Sequence, residues 1–115
     1  MANWQVIHSS NVHLIRGSGA DLNVYKYTAE PKDRVIITFV ARLLTDKGIR
    51  EFIDASRILH NRGIEAVFCV AGDQDEGNPE SINKEEVETW KNLPNVNVIG
   101  FHKNIADLYL SLIHI

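Results

Sequence analysis

A single cysteine, Cys69, among 115 residues leaves no partner for an intrachain disulfide and no CxxC pair for a metal site. No apolar run approaches the ~20 residues of a membrane helix, and the opening Met1-Ala2-Asn3-Trp4-Gln5 lacks the basic-then-apolar profile of a secretory signal. A cytoplasmic protein is expected. Basic charge is not in excess either: 12 Lys plus Arg stand against 15 Asp plus Glu, a net charge of −3 and a pI near 5.9. The electrostatic footprint of a general nucleic-acid binder is therefore missing. Neither an internal repeat nor a low-complexity tract is present. What remains is a chain 44% hydrophobic and 23% charged, too apolar and too balanced for a disordered tail and long enough for one modest core.

The segment Arg34-Val35-Ile36-Ile37-Thr38-Phe39-Val40 is β-branched, aromatic and almost continuously apolar, the composition of a strand buried on both faces of a parallel sheet. It is the candidate central strand. Thr45 is placed to cap a following helix, in which Ile49, Phe52, Ile53, Ser56 and Leu59 recur at helical spacing and Gly63 supplies the stop. A second buried strand is expected over residues 66–71. The polar loop 72–82 comes next, its Gly77-Asn78-Pro79 run marking a turn. Asn83 and Glu86 form a capping pair for a short helix through Trp90, closed by Pro94, and Val96-Asn97-Val98-Ile99 restarts a strand ending at Gly100. Asn104 or Lys103 then opens a helix with Ile105, Leu108 and Tyr109 on one face. Ahead of all these, Val12-His13-Leu14-Ile15-Arg16 reads as a short strand running into the turn Gly17-Ser18-Gly19.

Strands alternating with helices through short loops predict a doubly wound parallel α/β sheet, in which ligands bind beyond the carboxyl ends of the strands. The loops after Val40, Val70 and Ile99 are therefore where chemistry is sought. Arg42 falls just past the first strand and Lys47 in the first turn of the next helix. Two cations beside the free N–H groups of a helix start suit a phosphate or diphosphate. The competing reading pairs Arg42 with Asp46 and leaves Lys47 solvated. Asp73, Asp75 and Glu76 lack a metal-ligand spacing and read as a solvated, flexible loop. His60 falls at an exposed helix end, His8 and His13 flank the N-terminal strand, and no pair of histidines has zinc-ligand spacing. His102 differs by its place after Gly100 at the binding edge. Cys69 reads as a small buried hydrophobe and Trp90 as core rather than a stacking platform.

The run V-A-R-L-L-T-D-K-G-I-R-E-F over residues 40–52 resembles the G-R-L-x-x-x-K-G signature that opens the C-terminal domain of family 4 (group 1) glycosyltransferases, enzymes of the GT-B fold. Leu14 to Asp21 is similar to that family's I-x-G-S-G-V-D turn, Val70-Ala71-Gly72-Asp73 to its V-G strand end, and Val98-Ile99-Gly100-Phe101 to its V-x-x-L-G strand. Each match is weak alone, while the ordered set is specific. The resemblance implies a Rossmann-like parallel sheet with alternating helices, half of a GT-B C-terminal domain, over residues 12–109. Residues 1–11 stand ahead of it and 110–115 read as an unrelated tail.

It further implies that Arg42 and Lys47 hold the diphosphate of a nucleotide-sugar donor and that Gly100, Phe101, His102 and Lys103 touch the nucleotide base. Fixed cations would stabilise the charge that builds on the leaving diphosphate, so neither a metal nor another cofactor is expected. The implied reaction is retaining transfer from a UDP-linked sugar to a lipid-linked or polysaccharide acceptor, by an intact enzyme peripheral to the cytoplasmic face of the membrane. Ala41 stands where the signature carries glycine. The family's paired-glutamate motif belongs beyond Ile115 and its acceptor domain ahead of Met1, so the chain is expected to be an inactive fragment. Two other classes fit the element order. One is a noncatalytic flavodoxin-like or receiver-like α/β binding module; a receiver would use Asp73 as its strand-end aspartate but has Ala41-Arg42 where an acidic pair belongs. A sugar-nucleotide epimerase fragment would need a glycine-rich fingerprint after its first strand.

Overall fold

The computed structural model describes residues 13, 19–29 and 34–110. The expected strand around Val12 to Arg16 apart from His13, the turn residues Gly17 and Ser18, His8 and the tail beyond residue 110 lie outside the described residues. Within them the elements run β1 (Val35–Val40), α1 (Ile49–Asn61), β2 (Ala66–Ala71), α2 (Lys84–Lys91), β3 (Val96–Gly100) and α3 (Ile105–Leu110). The strands form one parallel sheet in the order β1-β2-β3. β1 and β2 pair from Val35 with Ala66 to Val40 with Ala71. β2 and β3 pair from Phe68 with Val96, with a register shift between Val70 and Ala71 that brings Ala71 opposite Gly100. Parallel neighbours cannot be joined by a tight hairpin, and α1 and α2 are the crossovers that the topology requires.

Side chains alternate across the strands, and one face carries the core. Ile37 and Phe39 of β1, Phe68 and Val70 of β2, and Val96 and Val98 of β3 pack with Ile49, Ile53, Phe52 and Leu59 of α1 and with Val87 and Trp90 of α2. The helical spacing of Ile49, Ile53 and Ser56 is the reason α1 lies on the sheet, and all three are buried. Phe52 sits between Phe39 and Phe68, at centroid distances of 5.7 and 5.0 Å, in tilted and edge-on arrangements that favour aromatic pairs. On the opposite face Thr38 and its partner Cys69 are also buried. Burial pushes the Cys69 thiol above its ordinary value, which suits a packing role.

The helix ends follow local chemistry with one correction. Thr45 does not cap α1. Residues Thr45–Lys47 form a short 3₁₀ turn, Gly48 breaks it at φ 78°, and α1 starts at Ile49. A left-handed residue between the two helical stretches favours glycine, and the Thr45 hydroxyl donates across to the Glu80 carbonyl at 3.1 Å instead of capping locally. Lys47 is consequently in the turn before the helix rather than in its first turn. At the other end, Gly63 donates to His60 and Ile64 to Leu59, closing α1 with the paired bonds of a Schellman motif. Asn83 caps α2 by accepting the Glu86 N–H at 2.8 Å, and Asn104 does the same for α3 from the Asp107 N–H at 3.3 Å. No helix among the described residues is long and apolar enough to cross a membrane.

Glu86 does not return its carboxylate to the cap. It takes a forked pair from Arg50, at 2.8 and 3.0 Å, tying the first turn of α1 to that of α2. Hydrogen bonding from Arg50 is the main reason the Glu86 carboxyl lies below its usual range; burial opposes it, and the Arg50 charge adds a smaller effect in the same direction as the hydrogen bond. The folded state thus binds this proton less readily than the unfolded chain. The pair's contribution is present above the ordinary carboxylate range and is lost as pH falls through the lowered folded value. Denaturant titrations of wild type and Glu86→Gln are expected to differ modestly at pH 7, far less than for a core substitution, and to converge at acid pH. A gap unchanged between neutral and acid pH would remove the pair from the account.

Candidate functional site

The carboxyl ends of the three strands deliver three loops to one edge of the sheet, and the backbone stitches two of them together. Leu43 donates to Asp73 at 2.9 Å, Thr45 to Glu80 at 2.9 Å and Ile82 back to Leu43 at 2.9 Å, while Leu44 and Ser81 make an isolated antiparallel bridge. The β2–α2 loop is therefore held against the β1–α1 connection as a small braced platform. The acidic residues stand as expected at Asp73 and Glu76, both exposed, while Asp75 is half-buried; the loop itself is braced rather than loose: Gln74 Nε2 donates to the Ile82 carbonyl at 2.6 Å, the Asp75 N–H to Ser81 Oγ at 3.0 Å and the Asn78 N–H to the Asp75 carbonyl at 3.0 Å. The turn expected at Gly77-Asn78-Pro79 is present, with Gly77 at φ 85°.

Arg42 and Lys47 both lie in the β1–α1 connection, on either side of buried Leu43 and Leu44. Arg42 does not pair with Asp46. Its Nη1 donates to Asp75 Oδ2 at 2.7 Å, with the arginine side chain 65% and the aspartate 30% exposed. Lys47 takes Asp46 instead, at 3.4 Å, with both side chains well exposed. α1 follows in the chain, opening at Gly48 without a side-chain cap, so its first N–H groups lack an intrahelical partner; the Glu51 carboxylate of its first turn lies 3.8 Å from where a Cβ on Gly48 would stand.

The third loop begins at Gly100, whose carbonyl accepts from Gly72 at 2.8 Å and whose Cα faces the Asp73 carboxylate: a Cβ there would stand 3.5 Å from Asp73 Oδ1. Phe101 is 67% exposed and Lys103 is exposed. His102 is half-buried, with Nδ1 shielded from solvent and without a hydrogen-bond partner among the described residues. A cavity of about 440 Å³ opens between this edge and α2, lined by Leu43, Gly72, Asp73 and Gly100 on the sheet side and by Lys84 and Lys91 on the helix. It takes in Gly100 alone of the six residues singled out from the sequence. Lys84, Glu88 and Lys91 were legible as one helix face from their spacing. Asp75 and Asn78 were not, since nothing local says which side chains a turn will meet across 33 residues.

A parallel α/β sheet of Rossmann-like form, with its candidate site built from loops at the carboxyl ends of the strands, defines the class. The family model of Glycosyl transferases group 1 matches residues 24–113, and the chain belongs to that family. The sheet and its crossovers agree with half of a GT-B C-terminal domain, and sugar transfer between a donor and an acceptor is the activity of the family. The match covers the 40–52 run and the ends of β2 and β3 but not the residues from Leu14 to Asp21. No curated protein matches the chain.

Proposed function

We propose that the β1–α1 connection receives the diphosphate of a nucleotide-sugar donor, with Arg42 and Lys47 as its cationic contacts and Gly100, Phe101, His102 and Lys103 toward the base. The observation that carries this reading is that two exposed cations, Arg42 and Lys47, stand in the connection that leads from a strand's carboxyl end into a helix whose N-terminal glycine makes no side-chain cap. As the bond from sugar to diphosphate breaks, negative charge grows on the leaving group, and cations held at that position stabilise the transition state more than the bound donor. The reading needs no metal ion, because the chain's own cations carry the compensation. The finer assignments are a UDP-linked donor, retention at the transferred carbon and a lipid-linked or polysaccharide acceptor, in an enzyme working peripherally at the cytoplasmic membrane face.

The test is a titration of the isotope-labelled chain with UDP, followed by backbone amide shifts. Perturbations are expected at residues 41–48 and 100–103, with affinity falling about tenfold in Arg42→Ala and Lys47→Ala. Uridine alone should leave residues 41–48 undisturbed. In an intact enzyme that carries this domain, each substitution is expected to lower turnover by roughly 10²-fold while leaving the unfolding midpoint in place. UDP shifts that bypass both segments, or variants that bind UDP as wild type does, would refute the assignment.

A further inference from the structure

Asp75 is a carboxylate paired with Arg42, one of the two cations of the proposed diphosphate site, and it is held there from behind. Its Oδ2 accepts from Arg42 Nη1 at 2.7 Å and from Asn78 Nδ2 at 3.1 Å. Asn78 is fixed in turn, since its Oδ1 accepts the Glu80 N–H at 3.0 Å, which settles the orientation of the amide. Ser81 Oγ takes the Asp75 N–H, and the Glu80 carbonyl takes both the N–H and the hydroxyl of Thr45. The relay from Glu80 through Asn78 and Asp75 to Arg42 is therefore anchored on the same connection that carries the arginine.

We infer that Asp75 is a positioning residue for Arg42, and Asn78 its clamp, together presenting the guanidinium to the diphosphate of the donor; this rests on the functional reading above. The geometry leaves room for that role. Among the described residues only Nη1 of Arg42 has a partner, so the rest of the guanidinium fork remains for phosphate oxygens, which Arg meets through paired N–H groups. A long side chain that is 65% exposed would otherwise wander, and its ordering on binding is a cost that a fixed partner removes in advance. The opposing effect is repulsion between the Asp75 carboxylate and the ligand. It is the weaker one here, because Oδ2 already accepts from two donors, one of them the positively charged arginine itself, and the pair is open enough to solvent for salt to screen what is left.

The two effects have opposite signs, and a cycle of variants separates them. UDP affinity is measured by titration of the labelled full chain for wild type, Asp75→Asn, Arg42→Ala and the double variant. Asp75→Asn is expected to weaken UDP binding about three- to fivefold when Arg42 is present and to change nothing in the Arg42→Ala background. Asn78→Ala, which leaves the carboxylate in place, should show a smaller loss with the same dependence on Arg42, and it decides the matter if Asp75→Asn does not fold. Tighter binding in Asp75→Asn would make the aspartate a competing anion and overturn the inference. An equal loss in both backgrounds would make it a brace for the loop and overturn it too. If Arg42→Ala weakens UDP binding and neither Asp75→Asn nor Asn78→Ala does, the inference fails alone. If wild type does not bind UDP, or Arg42→Ala binds it unchanged, the functional reading fails and takes the inference with it.

Discussion

Gly72→Ala is expected to unfold the domain or to lower its stability by at least about 3 kcal/mol. The reason is contact rather than backbone conformation, since Gly72 is not among the glycines with positive φ. A methyl carbon built on it would lie 1.8 Å from the Ala41 carbonyl oxygen and 2.9 Å from the carbonyl carbon. No rotamer relieves a clash between a Cβ and backbone, so β1 and β2 would have to part just where they leave the sheet. There Ala41 donates to Ala71 and Gly72 to Gly100, and both bonds would be strained. A domain of this size has roughly 5–15 kcal/mol in hand. Thermal and urea unfolding followed by circular dichroism measure the loss, and a variant within about 1 kcal/mol of wild type would show that the strand ends yield easily.

Trp90→Ala is the second large effect, at about 3–5 kcal/mol. Trp90 is 2% exposed on α2 and belongs to the cluster with Phe68, Ile82, Val87 and Val96. Removing the indole opens a void between helix and sheet that the two elements cannot close without breaking the Asn83 cap and the Arg50–Glu86 tie at the other end of α2. Trp90→Phe should recover a good part of the loss, because it restores ring volume in the same place. Urea midpoints for the three proteins rank them; equal midpoints for Trp90→Ala and wild type would place the indole outside the core.

The architecture was open to sequence reasoning because buried parallel strands and an amphipathic helix leave period and composition behind. Residues 66–71 are a strand in both readings, and the Ile49-to-Leu59 face and the Asn83 cap stand as expected. The start of α1 was misplaced for a physical reason. Thr45 has the side chain of a cap, and local preference favours that use, yet the Glu80 carbonyl lies close enough to take its hydroxyl and Gly48 interrupts the helix. The same limit governs the site. Arg42 and Lys47 could be placed at the binding edge from their position after β1, whereas the partner of Arg42 depends on a loop folded back from 33 residues away. Helical and strand periods carry no information about such a meeting. For the same reason Asp75 alone of the loop's acidic residues departs from the solvated reading, while Asp73 and Glu76 are exposed.

The order β1-β2-β3 has a consequence for how such a unit is made. Each strand hydrogen-bonds to the strand next to it in the chain, so when the polypeptide emerges from its amino end every new strand meets a partner that is already out. The segments to be closed are the 25 residues between β1 and β2 and the 24 between β2 and β3, and the entropy of closing a loop rises only slowly with its length. Among the described residues no strand waits for a distant one, which shortens the time that the apolar run of β1 spends uncovered during synthesis. The third loop joins the carboxyl edge last in this sequence, since Gly72 cannot reach Gly100 until β3 has arrived. The architecture thus makes the binding edge a late product of a fold that grows outward from its first strand.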